Sequence, residues 1–326
     1  MKYFDRVLDH TCFSRTIVLN ALEKRRICDV ARHSSSASPI SGDTKLNGTE
    51  RFLYRGNALL ERWTEALGSL PGSVETYEPQ LDIARLRELF GDAVDNGSPT
   101  RVLCFDFIAT MMPSLFSTAP HVVDLGCGSG VYSRHLKNVV SYQSYLGLDA
   151  QQSSHWQKYA DAEVSFRKQE IGKNRISIGE ADCIFSQSVL EHIRYDRSAL
   201  LNLESEASKP LTHLHFVPAP PSFFEHRYHG YRRYGALQIE RLLTGIGASD
   251  IRIWPLGNNI TREFYWGQRR KPKKFSSREG EIIFNASMSM VENLKAVREY
   301  IIPRHFREAS FFAIYFKQDL QGATAE

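Results

Sequence analysis

The sequence has few cysteines and no long apolar run, and both features exclude whole classes of protein. Its five cysteines are scattered, odd in number and without Cys-x-x-Cys or Cys/His ligand spacing, so neither a disulfide framework nor a zinc site is predicted. No stretch of ~18 or more apolar residues occurs, which argues against a membrane-spanning helix. The N-terminus lacks the apolar segment of a signal peptide. We therefore expect a protein of the reducing, cytoplasmic compartment.

An excess of charge of one sign is also missing. The 41 lysines and arginines are nearly balanced by 37 acids, which leaves a net charge of +4 and an isoelectric point near 8.7. This is well short of the charge that a dedicated nucleic-acid-binding protein usually carries. A composition of 42% hydrophobic and 24% charged residues is ordinary for a globular protein. At 326 residues, the chain has room for one large domain or two small ones.

The segment 121–130, HVVDLGCGSG, is the most informative part of the sequence. Its apolar start predicts the end of a buried parallel strand, because such strands are near-continuous apolar runs. The loop that follows contains Gly126, Gly128 and Gly130. Glycines permit positive φ and let a ligand lie against the backbone, and the pattern from Val131 onwards predicts a helix. Strand, glycine loop and helix together indicate a nucleotide-type binding loop.

The spacing of the glycines and the preceding acid constrain the ligand. A dinucleotide fingerprint that starts at Gly126 requires a glycine at position 131, where Val131 stands, and the Gly-Lys of a phosphate-binding Walker loop is absent. Asp124 suits a ligand with an ammonium group and would repel a pyrophosphate. Its alternative role is to cap the following helix. The sequence therefore favours a ligand that is cationic at this end.

The stretch Asp124–Gly130 resembles motif I of class I S-adenosylmethionine-dependent methyltransferases, and later segments follow in the order of that family. A second short strand ends on Asp149, one β-α-β step after the glycines. The resemblance implies that S-adenosyl-L-methionine is the cofactor and that Asp149 accepts its ribose hydroxyls. It further implies cofactor contacts after the third and fourth strands, from Glu170, Ile171, Ser186 and Gln187. Asp149 as a turn acid and Glu170 as a solvated acid are the structural alternatives.

The resemblance also implies the fold. We expect an α/β protein with a Rossmann-like, doubly wound, seven-stranded sheet whose last strand is antiparallel. Residues 101–326 form the methyltransferase core in this prediction, with a helix over 102–116 before the first strand and a long insertion at 258–310 before the last. Residues 1–100 are predicted to be a mainly helical extension whose apolar residues form packing faces, with a lid over the site as the functional alternative.

Two histidines are candidate catalytic bases. Ligands bind beyond the carboxyl ends of the strands in doubly wound sheets, and the segment 222–234, rich in aromatic and histidine residues, follows the fifth strand. Within it, His229 is the preferred candidate. His192 follows the fourth strand, where the chain resembles ubiquinone-type O-methyltransferases, and its alternative is a packed histidine at a helix start. Those relatives can bind a divalent cation, but Ser188 replaces their first acid, so no metal is predicted.

These residues favour O-methylation of a hydroxyl group on a small molecule or a glycan precursor. A histidine with an unperturbed pKa near ~6.5 can remove a hydroxyl proton near neutral pH. The exit Ser186–Val189 lacks the Asp/Asn-Pro-Pro-aromatic pattern of enzymes that methylate base amino groups. One alternative is an RNA methyltransferase that uses the basic run 269–274, beside the aromatic residues 264–266. The other is a non-catalytic scaffold that retains the cofactor pocket.

Overall fold

The computed structural model describes residues 68–116, 118–220, 230–258, 261, 298–303 and 305–319, together with Gly48 and Gly56. Most of the predicted N-terminal extension lies outside these residues. So do the candidate base His229, the basic run 269–274 and most of the predicted insertion.

Nine strands occur in the part of the chain that the structure describes. In chain order they are β1 (His121–Leu125), β2 (Ser144–Asp149), β3 (Val164–Lys168), β4 (Ile176–Ser177), β5 (Cys183–Gln187), β6 (Leu203–Glu204), β7 (Leu211–Pro218), β8 (Ser249–Leu256) and β9 (Phe311–Gln318). Seven of them form one sheet in the order β3-β2-β1-β5-β7-β9-β8, and β4 pairs with β6. Strand β9 is antiparallel to both of its neighbours, β7 and β8, and the other paired strands of the large sheet are parallel. The predicted Rossmann-like sheet with an antiparallel last strand is confirmed.

Seven α-helices accompany the strands in the described residues. They are α1 (Ile83–Phe90), α2 (Pro99–Leu115), α3 (Tyr132–Val140), α4 (Trp156–Tyr159), α5 (Asp196–Leu201), α6 (Ala236–Gly245) and α7 (Arg298–Ile301). Three short 3-10 turns span Gly91–Ala93, Leu190–His192 and Phe306–Glu308. None of the helices described is long and apolar enough to cross a membrane.

Helix α2 begins three residues before the predicted start. Ser98 caps it, because its hydroxyl oxygen accepts a hydrogen bond from the Arg101 backbone N–H at 3.2 Å, and Pro99 occupies the first helical position. Arg101 in its first turn is exposed, and its guanidinium donates to the Tyr132 hydroxyl at 3.4 Å, which places this turn beside the start of α3.

The two faces of the large sheet pack against different helices. On one face, Leu103 and Phe107 of α2 lie among buried aromatic side chains of the central strands, and the Phe107 ring contacts Trp254 at 5.1 Å between centroids. On the other face, α6 packs through Ile239 and Leu243. Each fully buried side chain of this size stabilises the fold by ~1.5–3 kcal/mol, so both helices are held firmly on the sheet.

Residues 68–100 of the predicted extension pack into this core. A buried carboxylate, that of Asp106 in α2, accepts hydrogen bonds from the Tyr77 hydroxyl at 2.6 Å and from the Leu81 backbone N–H at 2.7 Å. Helix α1 follows at once, and its Phe90 ring stacks on Phe105 at 4.5 Å between centroids. Upstream, the Glu75 N–H donates to the Ile253 carbonyl at 2.9 Å and adds a bridge to the outer strand β8.

The sheet order places a switch point between β1 and β5. The chain moves outwards from β1 to β2 and β3, then returns to β5 on the other side of β1. In doubly wound sheets, ligands bind in the crevice beyond the carboxyl ends of the strands at such a point. The loops after β1, β5 and β7 all leave from this edge and are the candidates for the site.

Candidate active site

The glycine loop after β1 is fixed by backbone hydrogen bonds to β2. The N–H groups of Gly126 and Cys127 donate to the Leu148 carbonyl at 2.7 and 3.1 Å. Gly126 and Gly130 have φ values of 68° and 84°, a region that favours glycine. A Cβ on Gly126 would stand 2.5 Å from the Val189 side chain, and one on Gly130 would stand 2.6 Å from the Phe166 ring. Both conformation and contact therefore require glycine here.

Gly128 faces open space instead. No atom lies within 4 Å of the place where its Cβ would be, and the residue is exposed. Its N–H donates to the Asp149 carboxylate at 2.9 Å, and its carbonyl accepts from the Trp156 indole N–H at 2.9 Å. The same carboxylate accepts from the Gln151 N–H at 2.9 Å. The predicted site residues Gly128 and Asp149 are thus brought together beside a space that admits a ligand.

Asp124 lies at the end of β1 and is only 2% exposed. Its carboxylate accepts a hydrogen bond from the Tyr145 hydroxyl at 2.5 Å. Burial raises the pKa of Asp124 to about 7; the hydrogen bond from Tyr145 opposes that shift, and the nearby charge of Asp149 adds to it. Helix α3 begins without a side-chain cap, so Asp124 does not have the alternative role of capping that helix.

The predicted cofactor contacts at the ends of β3 and β5 are placed differently from one another. Glu170 is exposed beyond β3, and Ile171 is partly buried against the apolar core. Gln187 lies beside Cys104 of α2, and its Oε1 is buried without a hydrogen-bond partner in the described residues.

The side chain of Ser186 points into the core. It is fully buried, and its hydroxyl lies 2.7 Å from Nδ1 of His215, on the face of the sheet that packs against α6. Successive residues of a strand point to opposite faces, so Ser186 and Gln187 cannot both direct their side chains to the same ligand. The side chain of Ser186 therefore lies in the core, and a contact between this residue and the cofactor would come from its backbone.

The candidate base His192 lies in the 3-10 turn that follows β5. It is half-buried, and its Nε2 is 3.9 Å from Oε1 of Glu191, a carboxylate with no exposed surface. The residue just before this turn, Val189, is the one that contacts Gly126 of the glycine loop. The pair of His192 and Glu191 therefore comes in the sequence directly after the turn entry at Val189, the residue that packs on the glycine loop.

The segment after β7 is attached to the same turn. Gly230 has a φ of 70°, and a Cβ on it would stand 2.6 Å from the Glu191 carbonyl oxygen. The N–H of Tyr231 donates to that oxygen at 2.6 Å. His229, the other candidate base, precedes Gly230 in the sequence and lies outside the described residues.

Sequence reasoning gave no role to several residues around the site. Glu191 stands beside His192 in the sequence, but a buried acid has no signature that separates it from a solvated one. Arg101 was missed because the helix was expected to start after it; its guanidinium donates to the Tyr132 hydroxyl at 3.4 Å, next to the glycine loop. The Ser98-Pro99 pair was the available signal for the earlier start.

Comparison with known proteins gives a family match and several structural similarities. Residues 123–205 match the model of the methyltransferase-domain family. A search of curated proteins finds no match. A chain of the complex between the Haloferax volcanii Trm112 methyltransferase activator and a methyltransferase aligns at 14% identity over 74% of this chain and 99% of its own, with a TM-score of 0.47.

Two further solved structures show similar values. An S-adenosylmethionine-dependent methyltransferase from Mesorhizobium loti aligns at 13% identity over 69% of this chain and 100% of its own, with a TM-score of 0.43. The plantazolicin methyltransferase BpumL in complex with S-adenosylhomocysteine aligns at 15% identity over 83% of this chain and 97% of its own, with a TM-score of 0.42.

The family match coincides with the site. It begins within β1 and covers the glycine loop, Asp149 and the turn that carries His192. Gly128 is open to solvent, and its N–H donates to the Asp149 carboxylate, the acid that the resemblance assigns to the ribose hydroxyls. Together with the motif and the order of the sheet, the match to residues 123–205 supports a class I methyltransferase that uses S-adenosyl-L-methionine as its cofactor.

Proposed function

We propose that the enzyme methylates a hydroxyl group of a small molecule or of a glycan precursor, with His192 as the base. The observation that carries this proposal is the pair formed by His192 and the buried Glu191 at the carboxyl end of β5, in the turn that packs on the glycine loop. A hydroxyl acceptor must lose a proton on methylation, and an imidazole beside a carboxylate is suited to accept it.

Within this proposal, the residues around Gly128 hold the cofactor. Asp149 accepts the ribose hydroxyls, Asp124 faces the ammonium end, and Glu170 and Gln187 lie towards the adenine. When bound, the cofactor supplies an electrophilic methyl group on a positively charged sulfur. The protein contributes geometry, since the acceptor oxygen must be held in line with that methyl group and largely dry.

The proposed proton transfer balances charge within the site. The bound cofactor would supply the methyl group to the acceptor oxygen and leave as the neutral thioether, while the hydroxyl proton would pass to the His192 imidazole. The positive charge lost by the sulfur would then be carried by the imidazole. The buried carboxylate of Glu191, 3.9 Å away, stabilises that charge in a poorly solvated setting.

The test is transfer of a labelled methyl group from S-adenosyl-L-methionine to a panel of hydroxylated small molecules and glycan precursors. We expect His192→Ala to lower turnover by about 10²–10⁴-fold, the usual contribution of a general base, while its affinity for S-adenosylhomocysteine stays that of the wild type. His121→Ala is the matched control, since His121 lies at the amino end of β1 and bonds Ser144 at 2.8 Å. It should retain turnover.

Other outcomes would assign other roles. Equal losses of turnover and cofactor affinity in His192→Ala would mean that the histidine is structural. His229→Ala tests the second candidate base in the same assay. Methylation of RNA alone, with a salt-dependent affinity that disappears when residues 269–274 are neutralised, would favour the RNA alternative. Cofactor binding without transfer to any acceptor would favour the scaffold.

A further inference from the structure

We propose that the acceptor carries a phosphate or carboxylate group, and that this group binds to a cationic cluster made by Lys173, Arg194 and Tyr195, here called the Tyr195 cluster. The inference rests on the proposed O-methylation and specifies its substrate class: a hydroxylated small molecule, such as a sugar, with one negatively charged substituent. The cluster joins the loop after β3 to the loop after β5.

One exposed ring collects two positive charges. The Lys173 ammonium nitrogen lies 4.3 Å from the centroid of the Tyr195 ring, and the central carbon of the Arg194 guanidinium lies 5.5 Å from it. Both distances are typical of cation–π contacts. Tyr195 remains 36% exposed, so solvent and ligands reach the cluster. Two like charges on one ring repel each other, and an anion between them would relieve that repulsion.

Neither cation has an acidic partner within the described residues. The neighbouring arginine differs in this respect, because Arg232 forms an ion pair with Asp196, whose carboxylate also accepts from the Tyr234 hydroxyl at 2.8 Å. Asp196 is thus already neutralised. The other nearby acid is the exposed Glu170, whose charge acts on the Tyr231 hydroxyl together with that of Arg194. Two cations against this one carboxylate leave the cluster with a net positive charge.

The backbone on both sides of the cluster is fixed. The Asn202 side-chain amide donates to the Lys173 carbonyl at 2.6 Å, and the Arg232 guanidinium donates to the Arg194 carbonyl at 2.6 Å. A site whose groups are already held loses less conformational freedom when it binds a ligand. These bonds distinguish the Tyr195 cluster from scattered surface lysines.

The cluster also lies on the same loop as the proposed base. Arg194 follows His192 by two residues, and the Arg232 that holds its carbonyl follows Tyr231, whose N–H binds the Glu191 carbonyl at 2.6 Å. All of these loops leave the carboxyl edge of the sheet, where ligands of doubly wound folds bind. An anionic group in the cluster would therefore orient a hydroxyl of the same molecule towards His192.

The experiment measures binding without turnover. Protein saturated with S-adenosylhomocysteine is titrated in a calorimeter with glucose 6-phosphate, glucuronate and glucose at low salt. We expect both charged sugars to bind at least about tenfold more tightly than glucose, and Lys173→Met or Arg194→Met to weaken that binding about tenfold, the effect of one charge-assisted contact. Lys209→Met is the matched control, because this exposed lysine precedes β7 at the opposite edge. It should bind all three sugars as the wild type does.

Three results would overturn the inference. The first is that charged sugars bind the Lys173→Met/Arg194→Met double variant with the same affinity as the wild type. The second is that the wild type binds glucose more tightly than the charged sugars. The third is that the wild type binds single-stranded RNA but none of the sugars, and that the double variant loses this RNA binding. Failure of the proposed function would give a different result. If turnover survives His192→Ala while the binding of charged sugars still depends on the cluster, only the role of His192 as the base is refuted. Transfer that depends on His192 but proceeds equally well in the double variant refutes only the cluster.

Discussion

The glycine loop after β1 and the paired turns after β5 and β7 are built with the same device. In each, a glycine with positive φ sits where a Cβ would collide: Gly130 against the Phe166 ring and Gly230 against the Glu191 carbonyl. The steric contacts of Gly130 and Gly230 span similar distances in the sequence, and the difference lies in the hydrogen bonds. The backbone of the glycine loop bonds to β2, the next strand of the chain, whereas the Tyr231 N–H bonds to the Glu191 carbonyl across the two intervening strands β6 and β7. The hydrogen bonds of the cofactor region are therefore more local in sequence than the one that joins the proposed acceptor region.

The largest effect is expected from Gly130→Ala in the cofactor region. The new Cβ would stand 2.6 Å from the Phe166 ring at a φ of 84°. Backbone strain and overpacking each cost ~1–3 kcal/mol, so the affinity for S-adenosylhomocysteine should fall more than about a hundredfold. Calorimetric titration of the folded variant, with its circular dichroism as a check on folding, measures this.

Gly128→Ala is the matched control for that substitution. Its φ of 54° carries similar backbone strain, but nothing lies within 4 Å of the new Cβ in the structure. The free energy of unfolding should therefore fall by only ~1–2 kcal/mol, less than in Gly130→Ala. Equal destabilisation of the two variants would mean that the contact with Phe166 does not fix the loop.

The next largest effect is expected from Gly230→Ala, and it should fall on the other region. The Cβ would stand 2.6 Å from the Glu191 carbonyl oxygen and push the segment after β7 away from the turn that carries His192. Because a small misplacement of catalytic groups costs on the order of a hundredfold in rate, turnover should fall by about that factor. The affinity for S-adenosylhomocysteine should stay unchanged, and a parallel loss of it would show that the two regions are one unit.

The same contrast explains what the sequence could predict. The seven strands of the large sheet were recognisable because each has at least five residues with a mainly apolar or alternating pattern, while β4 and β6, with two residues each, carry no periodic signal. The glycines and acids of the cofactor region could be identified from their spacing in the sequence. Helix α5 ends at Leu201, because the Asn202 carbonyl accepts the Ile176 N–H at 2.8 Å and the chain turns into β6.

The proposed acceptor region offered no comparable signal. Glu191, Arg194 and Lys173 are ordinary charged residues in the sequence, and only the packing of separate loops buries the first and gathers the other two on Tyr195. The direction of the Ser186 side chain, in contrast, was predictable. The alternation of side chains along a strand, applied to β5, is enough by itself to put Ser186 and Gln187 on opposite faces of the sheet.

A smaller loss is expected from Asp149→Ala in the cofactor region. Its carboxylate accepts from the N–H groups of Gly128 and Gln151, and in our proposal it also accepts the ribose hydroxyls. Loss of hydrogen bonds to a charged group should weaken S-adenosylhomocysteine binding by about 2 kcal/mol, measured by calorimetry. Asp149→Asn keeps one acceptor oxygen and should lose less. Unchanged affinity in both variants would remove Asp149 from the site.

The smallest effect is a pH dependence of cofactor affinity that arises from Asp124. Burial raises the pKa of this carboxyl group to about 7 in the free protein, so the group is mostly protonated at pH 6 and mostly charged at pH 8. An ammonium group on the ligand pairs only with the charged form. The affinity for S-adenosylhomocysteine should therefore fall as the pH drops below 7, by up to about tenfold for each pH unit.

Asp124→Asn separates this titration from others in the site. The amide cannot ionise, so the variant should bind S-adenosylhomocysteine weakly at pH 8 and with little change down to pH 6. Methylthioadenosine, which lacks the amino-acid end, should bind both proteins with no dependence on pH in this range. If its affinity for the wild type also fell below pH 7, the titrating group would act on the nucleoside, and Asp124 would belong to the framework of the loop rather than to the ligand.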